Sequence, residues 1–145
     1  MRIAIGSDHG GFDQKEVIIK HLKEKGYEVQ DVGTYSKDSC HYPIFGAEVG
    51  KLVASKQCDF GIVVCTSGEG IAIAANKIKG VRCGIGYNDE VSKLMRQHND
   101  ANVISFGAKF MPDEDVLRRV DIFLSTEFEG GRHAERVKII SNLEN

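Results

Sequence analysis

The 145-residue chain carries 19 basic and 21 acidic residues, a formal net charge of -2, with 41% hydrophobic residues and a mean hydropathy of -0.24. So even a balance offers no bulk attraction to nucleic acid or to an anionic membrane surface, and any anion must be caught locally. The length suits one domain, residues 1–145, and no apolar run approaches the roughly 20 residues that cross a bilayer.

In chain order, Arg2 to Ile5 is a short apolar run that ends abruptly in Ser7-Asp8-His9-Gly10-Gly11. Phe12, Val17, Ile18 and Leu22 then recur at helical spacing up to Gly26. Tyr27 to Val32 is rich in strand formers and stops at Gly33, which makes the first unit strand, helix, strand. Gly33 to His41 is polar and turn-like, and Pro43 opens a helix whose apolar face is Phe45, Val49, Leu52 and Val53. Phe60 to Val64 predicts a third strand, Glu69 to about Lys79 its helix, and Val81 to Ile85 a fourth strand. Asn88 or Asp89 caps a helix through about Arg96, and Asn102 to Phe106 is a fifth strand ending at Gly107. Pro112 and Asp113 start a helix with a stripe of Val116, Leu117, Val120, Phe123 and Leu124; after the break at Glu127 to His133, Ala134 to Leu143 forms a terminal helix.

Strands that alternate with helices imply an α/β fold: a three-layer, doubly wound, Rossmann-like parallel sheet of five strands, with an extra C-terminal helix free to pack across a partner. A flavodoxin-like strand order, 2-1-3-4-5, is the expectation. Cysteines at 40, 58, 65 and 83 lack paired spacing, and the start MRIAIGSDHG lacks a charged leader before a long apolar run. Free thiols in a cytoplasmic, reducing setting are therefore expected.

The stretch Phe60 to Lys77, FGIVVCTSGEGIAIAANK, joins a strand, a glycine loop and a helix start. Glycines at such a turn bring backbone N–H groups close to a ligand, and the helix dipole favours negative charge there. Cys65 at the strand's carboxyl end reads either as a small buried hydrophobe or as a base or nucleophile, and the loop favours chemistry. Cys40, Cys58 and Cys83 lack that setting and read as structural. Asp8 and His9 end the first strand on the same sheet edge as Cys65; they are either a cap and a solvated imidazole or partners for sugar hydroxyls. His98 precedes the fifth strand and so belongs to the opposite edge, where a helix C-cap is the plain reading. Arg132 and Arg136 stand four apart at the start of the terminal helix, which suits either a solvated face or a phosphate clamp. The histidines and acids show no metal-ligand spacing such as HExxH, so no metal is expected.

Five ordered blocks, IGSDHGG, DVGTYS with HYP downstream, CTSGEGIAIAANK, RQHNDANVISFG and EGGRHAERV, resemble the ribose-5-phosphate isomerase B family across nearly the whole chain. The resemblance implies interconversion of ribose 5-phosphate and ribulose 5-phosphate through an enediolate, in the pentose phosphate pathway and without a cofactor. It also implies a homodimer whose sites lie between subunits, with pairing of dimers into tetramers left open, and it gives His98 a place in the partner's site.

By position, the resemblance makes Cys65 the base, His98 the acid that helps open the sugar ring, and Ser67 the hydroxyl that steadies the enediolate oxygen. Asp8, His9, Thr66, Gly68, Glu69, Gly70 and Asn99 match sugar contacts, Arg132 and Arg136 phosphate contacts. Lys109 stands where relatives often have arginine, keeping the charge without the planar fork. Some relatives use a glutamate as base, but at the position held here by Ile71, so the thiol is the expected base. The rivals are an isomerase of allose 6-phosphate or galactose 6-phosphate, the latter disfavoured by His98, and a non-catalytic nucleotide-binding module, which lacks its GxGxxG turn.

Overall fold

The computed structural model describes residues 1–145. Five strands and six helices alternate: β1 (Arg2–Ser7), α1 (Phe12–Glu24), β2 (Glu28–Asp31), α2 (Tyr42–Ala54), β3 (Phe60–Cys65), α3 (Glu69–Asn76), β4 (Cys83–Ile85), α4 (Asp89–Gln97), β5 (Val103–Gly107), α5 (Asp113–Ser125) and α6 (Arg132–Asn142). All strand pairs are parallel, which is the α/β layered sheet expected from the alternation. No helix is long and apolar enough to cross a membrane.

The strand order is β2-β1-β3-β5-β4, which corrects the flavodoxin-like 2-1-3-4-5 by exchanging the last two strands. Burial gives the physical reason. Every residue of β5, Val-Ile-Ser-Phe-Gly, is buried, whereas all three residues of β4 are only half-buried. A strand covered on both faces belongs inside a parallel sheet, and a short, partly wet one belongs at its edge.

The period-two alternation of the strands splits the core into two layers. Ile3, Ile5, Ile62, Val64, Ile104 and Phe106 pack on one face with Ile18 and Leu22 of α1, Met95 of α4 and Val116, Val120 and Phe123 of α5. Ala4, Val63, Cys65 and Val103 pack on the other with Val49, Leu52 and Val53 of α2 and Ile71 and Ala75 of α3. Cys65 therefore points into the α2–α3 layer, one residue out of phase with Val64.

Helix ends follow local chemistry. Asn88 caps α4, its Oδ1 accepting the Val91 N–H at 2.7 Å. Three acids, Asp113, Glu114 and Asp115, open α5 where the dipole is positive. Arg118 and Arg119 both donate to Asp89, tying α5 to α4; these hydrogen bonds hold the Asp89 carboxyl below the usual carboxylate range. The terminal helix α6 buries only His133, and Ile139, Ile140 and Leu143 stand exposed along it.

Candidate active site

The parallel register brings the carboxyl ends of β1, β3 and β5 side by side, with Ser7 opposite Val64 and Cys65 opposite Gly107. Asp8 follows β1 directly, and its Oδ1 accepts the Gly11 N–H at 3.1 Å, capping a single 3-10 turn over His9–Gly11 where the sequence suggests an open loop. The capping role is thus real, and the carboxylate is 6% exposed, at the wall of a cavity.

The loop after β3 is held at several points. The Gly68 N–H donates to Cys65 Sγ at 3.1 Å, and the buried Ser105 hydroxyl donates to the Gly68 carbonyl at 2.6 Å. The Ala108 N–H donates to Cys65 O and the Lys109 N–H to Thr66 O. Gly68 has φ of +81° and caps α3; a Cβ there would stand 2.9 Å from Gly107 N and from Phe106 C, so the turn needs both the left-handed backbone and the missing side chain. Gly70 is needed for a different reason: a Cβ would meet the Tyr42 ring at 2.6 Å.

Asp8, Tyr42, Cys65, Thr66, Ser67 and Gly70 line one cavity of about 300 Å³, the lower end of the size range for small-molecule sites. Cys65 is 4% exposed, Thr66 and Ser67 are exposed at the mouth, and the Ser67 Oγ accepts the Glu69 N–H at 3.2 Å. A sulfur that accepts a backbone N–H at the start of a helix is arranged to carry negative charge. Elsewhere in the chain desolvation raises the Cys58 thiol and pushes that of Cys83 up to about 12.

Thus five of the residues singled out from sequence, Asp8, Cys65, Thr66, Ser67 and Gly70, line one cavity, with Gly68 and Glu69 in the same loop. His9 is exposed on the adjoining 3-10 turn, its Nδ1 accepting the Cys40 N–H at 3.2 Å, so Cys40 lies against a candidate site residue rather than being a mere packing group. Lys109 meets the loop through its backbone and leaves its ammonium exposed. His98, Asn99, Arg132 and Arg136 do not line this cavity. His98 is the C-cap of α4 and stacks on His133, ring centroids 4.2 Å apart, while both arginines are exposed on the first turns of α6.

Sequence reasoning misses Tyr42, whose only signal is its place in the block HYP at a helix start. It also misses Lys15. The Lys15 ammonium is wholly buried between the rings of Phe12 and Tyr35 and bonds both Asp31 carboxylate oxygens at 2.9 Å. Asp31 accepts the Gly33 N–H, and Gly33 O accepts the Ser7 N–H, so the lysine braces the strand end that carries Asp8.

Along the edge strand β4 a wider groove of about 510 Å³ runs from Ser67 and Glu69 to Asn99. It links the mouth of the cavity to the half of the molecule that holds His98.

The family described as Ribose/Galactose Isomerase matches residues 3–140. Ribose-5-phosphate isomerase B of Escherichia coli is 43% identical over 143 residues, covering 99% of this chain and 96% of that protein. The solved structure of ribose-5-phosphate isomerase B from Clostridium thermocellum superposes with a TM-score of 0.98 at 46% identity, covering 99% and 97% of the two chains. That of the Mycoplasma genitalium enzyme with bound ribulose-5-phosphate superposes at 0.95 with 39% identity, covering 99% and 95%.

Proposed function

The chain belongs to the ribose/galactose isomerase family, and from that premise we propose that it interconverts ribose 5-phosphate and ribulose 5-phosphate through an enediolate, with Cys65 as the base. The observation that carries the reading is the Gly68 N–H on Cys65 Sγ at the wall of a cavity shared with Asp8 and Ser67. The bound ribulose-5-phosphate in the Mycoplasma genitalium relative supports the choice of substrate.

Starting from the aldose, the thiolate removes the proton from C2. The pair left behind forms the C1–C2 double bond, and charge develops on O1. The Ser67 hydroxyl, at the mouth of the cavity beside the start of α3, steadies that oxygen, the electrostatic contribution that acyclic sugar isomerisation needs. The proton on sulfur then returns to C1, while the O2 proton passes to the medium or to O1 and leaves the ketone. Asp8 and Thr66 bond the remaining hydroxyls, and Tyr42 covers the loop at Gly70.

Opening the furanose ring needs an acid at the ring oxygen, and the phosphate needs cations. Within one chain these groups, His98 with Asn99 and Arg132 with Arg136, stand apart from the cavity of Cys65. A homodimer that apposes the two halves brings the partner subunit's His98 and arginines to Cys65. The edge strand β4, the apolar groove beside it and the exposed Ile139, Ile140 and Leu143 of α6 supply surface for that pairing.

The test is a coupled assay of ribose 5-phosphate against allose 6-phosphate, run in deuterium oxide. Preferred turnover of the pentose, with solvent deuterium entering at the carbon next to the carbonyl, is expected. Inactivity on both, or complete retention of the substrate hydrogen under slow turnover, overturns the enediolate reading.

A further inference from the structure

His98, Glu129 and His133 form a compact donor cluster that the isomerase reading does not use as a unit. Glu129 Oε1 lies 3.5 Å from His98 Nε2 and 3.8 Å from His133 Nε2, and one ligand atom from each of the three residues falls within 4.8 Å of the others. Two nitrogens and one carboxylate oxygen are the donors that select zinc over magnesium or calcium, which take oxygen shells. In a tetrahedral site with bonds of about 2.1 Å the donors stand about 3.4 Å apart, close to the two spacings seen.

From these distances and donor types we propose that His98, Glu129 and His133 are a zinc-binding site, and that zinc there shuts the isomerase off by taking the imidazole of His98. The second clause rests on the acid role assigned to His98 above; the first does not.

The local structure holds Glu129 and His133 in place. The Glu129 N–H donates to Gln97 O, which locks the carboxylate's backbone beside the end of α4, and His133 lies in the first turn of α6 with its side chain 10% exposed. The two rings are stacked 11° from parallel, which no single metal between them can satisfy. One ring must turn, and His98, whose side chain is 40% exposed, has the room. Arg132 and Arg136 add like charge, but both are solvent-exposed and therefore screened. The open fourth position is left for water.

Zinc also seeks thiols, so binding is measured in a Cys40→Ser/Cys65→Ser background, by competition with a chromogenic chelator. One zinc per chain is expected, weakened at least about tenfold by Glu129→Gln and by His133→Gln added singly, since even a ligand's hydrogen-bond partners are worth that much. Circular dichroism and thermal unfolding of each variant establish that it folds. In wild type, turnover should fall in step with occupancy and return with EDTA, and magnesium should do neither. Absence of saturable zinc binding in the Cys40→Ser/Cys65→Ser background, or equal affinity after both triad substitutions, overturns the site. Zinc bound at the triad with turnover intact establishes the site and refutes the acid role of His98 instead.

Discussion

Two glycines with nearly the same backbone separate the strain of a left-handed residue from the requirements of the site. Gly26 has φ of +87° and nothing within 4 Å of the position a Cβ would take, whereas Gly68 has φ of +81° and the backbone of Phe106 and Gly107 at 2.9 Å. Alanine at Gly26 should cost only the left-handed conformation, about 1–2 kcal/mol. At Gly68 the same conformational cost is joined by overpacking against backbone that cannot rotate away, about 1–3 kcal/mol more. The excess is about 0.5–1.5 M in urea midpoint for a slope of about 2 kcal/mol/M, measured at one protein concentration because association stabilises. Relief of the clash moves the loop, taking the Gly68 N–H from Cys65 Sγ and the Gly68 carbonyl from Ser105, so kcat should fall about 100-fold, the scale of one lost donor at a developing charge. Gly26→Ala should keep its kcat. Equal unfolding midpoints for the two variants, or an unchanged kcat in Gly68→Ala, would refute the reasoning.

Cys65→Ala should lower kcat by about 10²–10⁴-fold while substrate binding, followed by calorimetry, stays near wild type; near-normal turnover sinks the base assignment. A Cys65→Ala chain mixed with a His98→Asn chain should recover about a quarter of wild-type activity on random subunit exchange, because one site of each mixed dimer is whole; no recovery, with exchange verified by mass, removes the shared site. His133, whose basicity is lowered by burial, is less readily protonated folded than unfolded, so its contribution is fully present above the unfolded value of about 6.5 and is lost as pH falls through the lower folded value. Urea unfolding below pH 6.5 should therefore be less steeply pH-dependent in His133→Gln than in wild type, and identical profiles would exclude the effect. Lys15→Met should destabilise by about 3 kcal/mol, the low end for breaking a buried pair since Asp31 is 28% exposed, with an unfolding midpoint equal to wild type as the contrary result.

The order of strands and helices and the position of the loop proposed to be reactive are legible in the residues, because both rest on local rules. Apolar runs of four to six residues alternate with helical stripes, and a strand that runs straight into Cys65-Thr66-Ser67-Gly68 must place that thiol at the carboxyl edge of a parallel sheet. The same topology puts His98 at the other edge, and the structure agrees. Element ends are less legible: β1 runs on to Ser7, β4 starts only at Cys83 and α6 starts at Arg132. There hydrogen bonds to a neighbouring strand or turn decide, which a window of sequence does not contain.

What tertiary structure alone decided is every feature that depends on which distant segments touch. The inner place of β5 follows from its burial on both faces, a property of the packed sheet rather than of five residues in a row. Tyr42 joins the wall of the Cys65 cavity because α2 lies against α3 and Gly70 leaves room for its ring. Lys15 is buried charged because Asp31, 16 residues further along the chain, comes back beside it at the end of β2, next to β1. Glu129 and His133 stand only four apart, but His98 joins them because the chain leaving α5 crosses the end of α4 before α6 begins, and a third donor brought in by such a crossing leaves no local signal in the sequence.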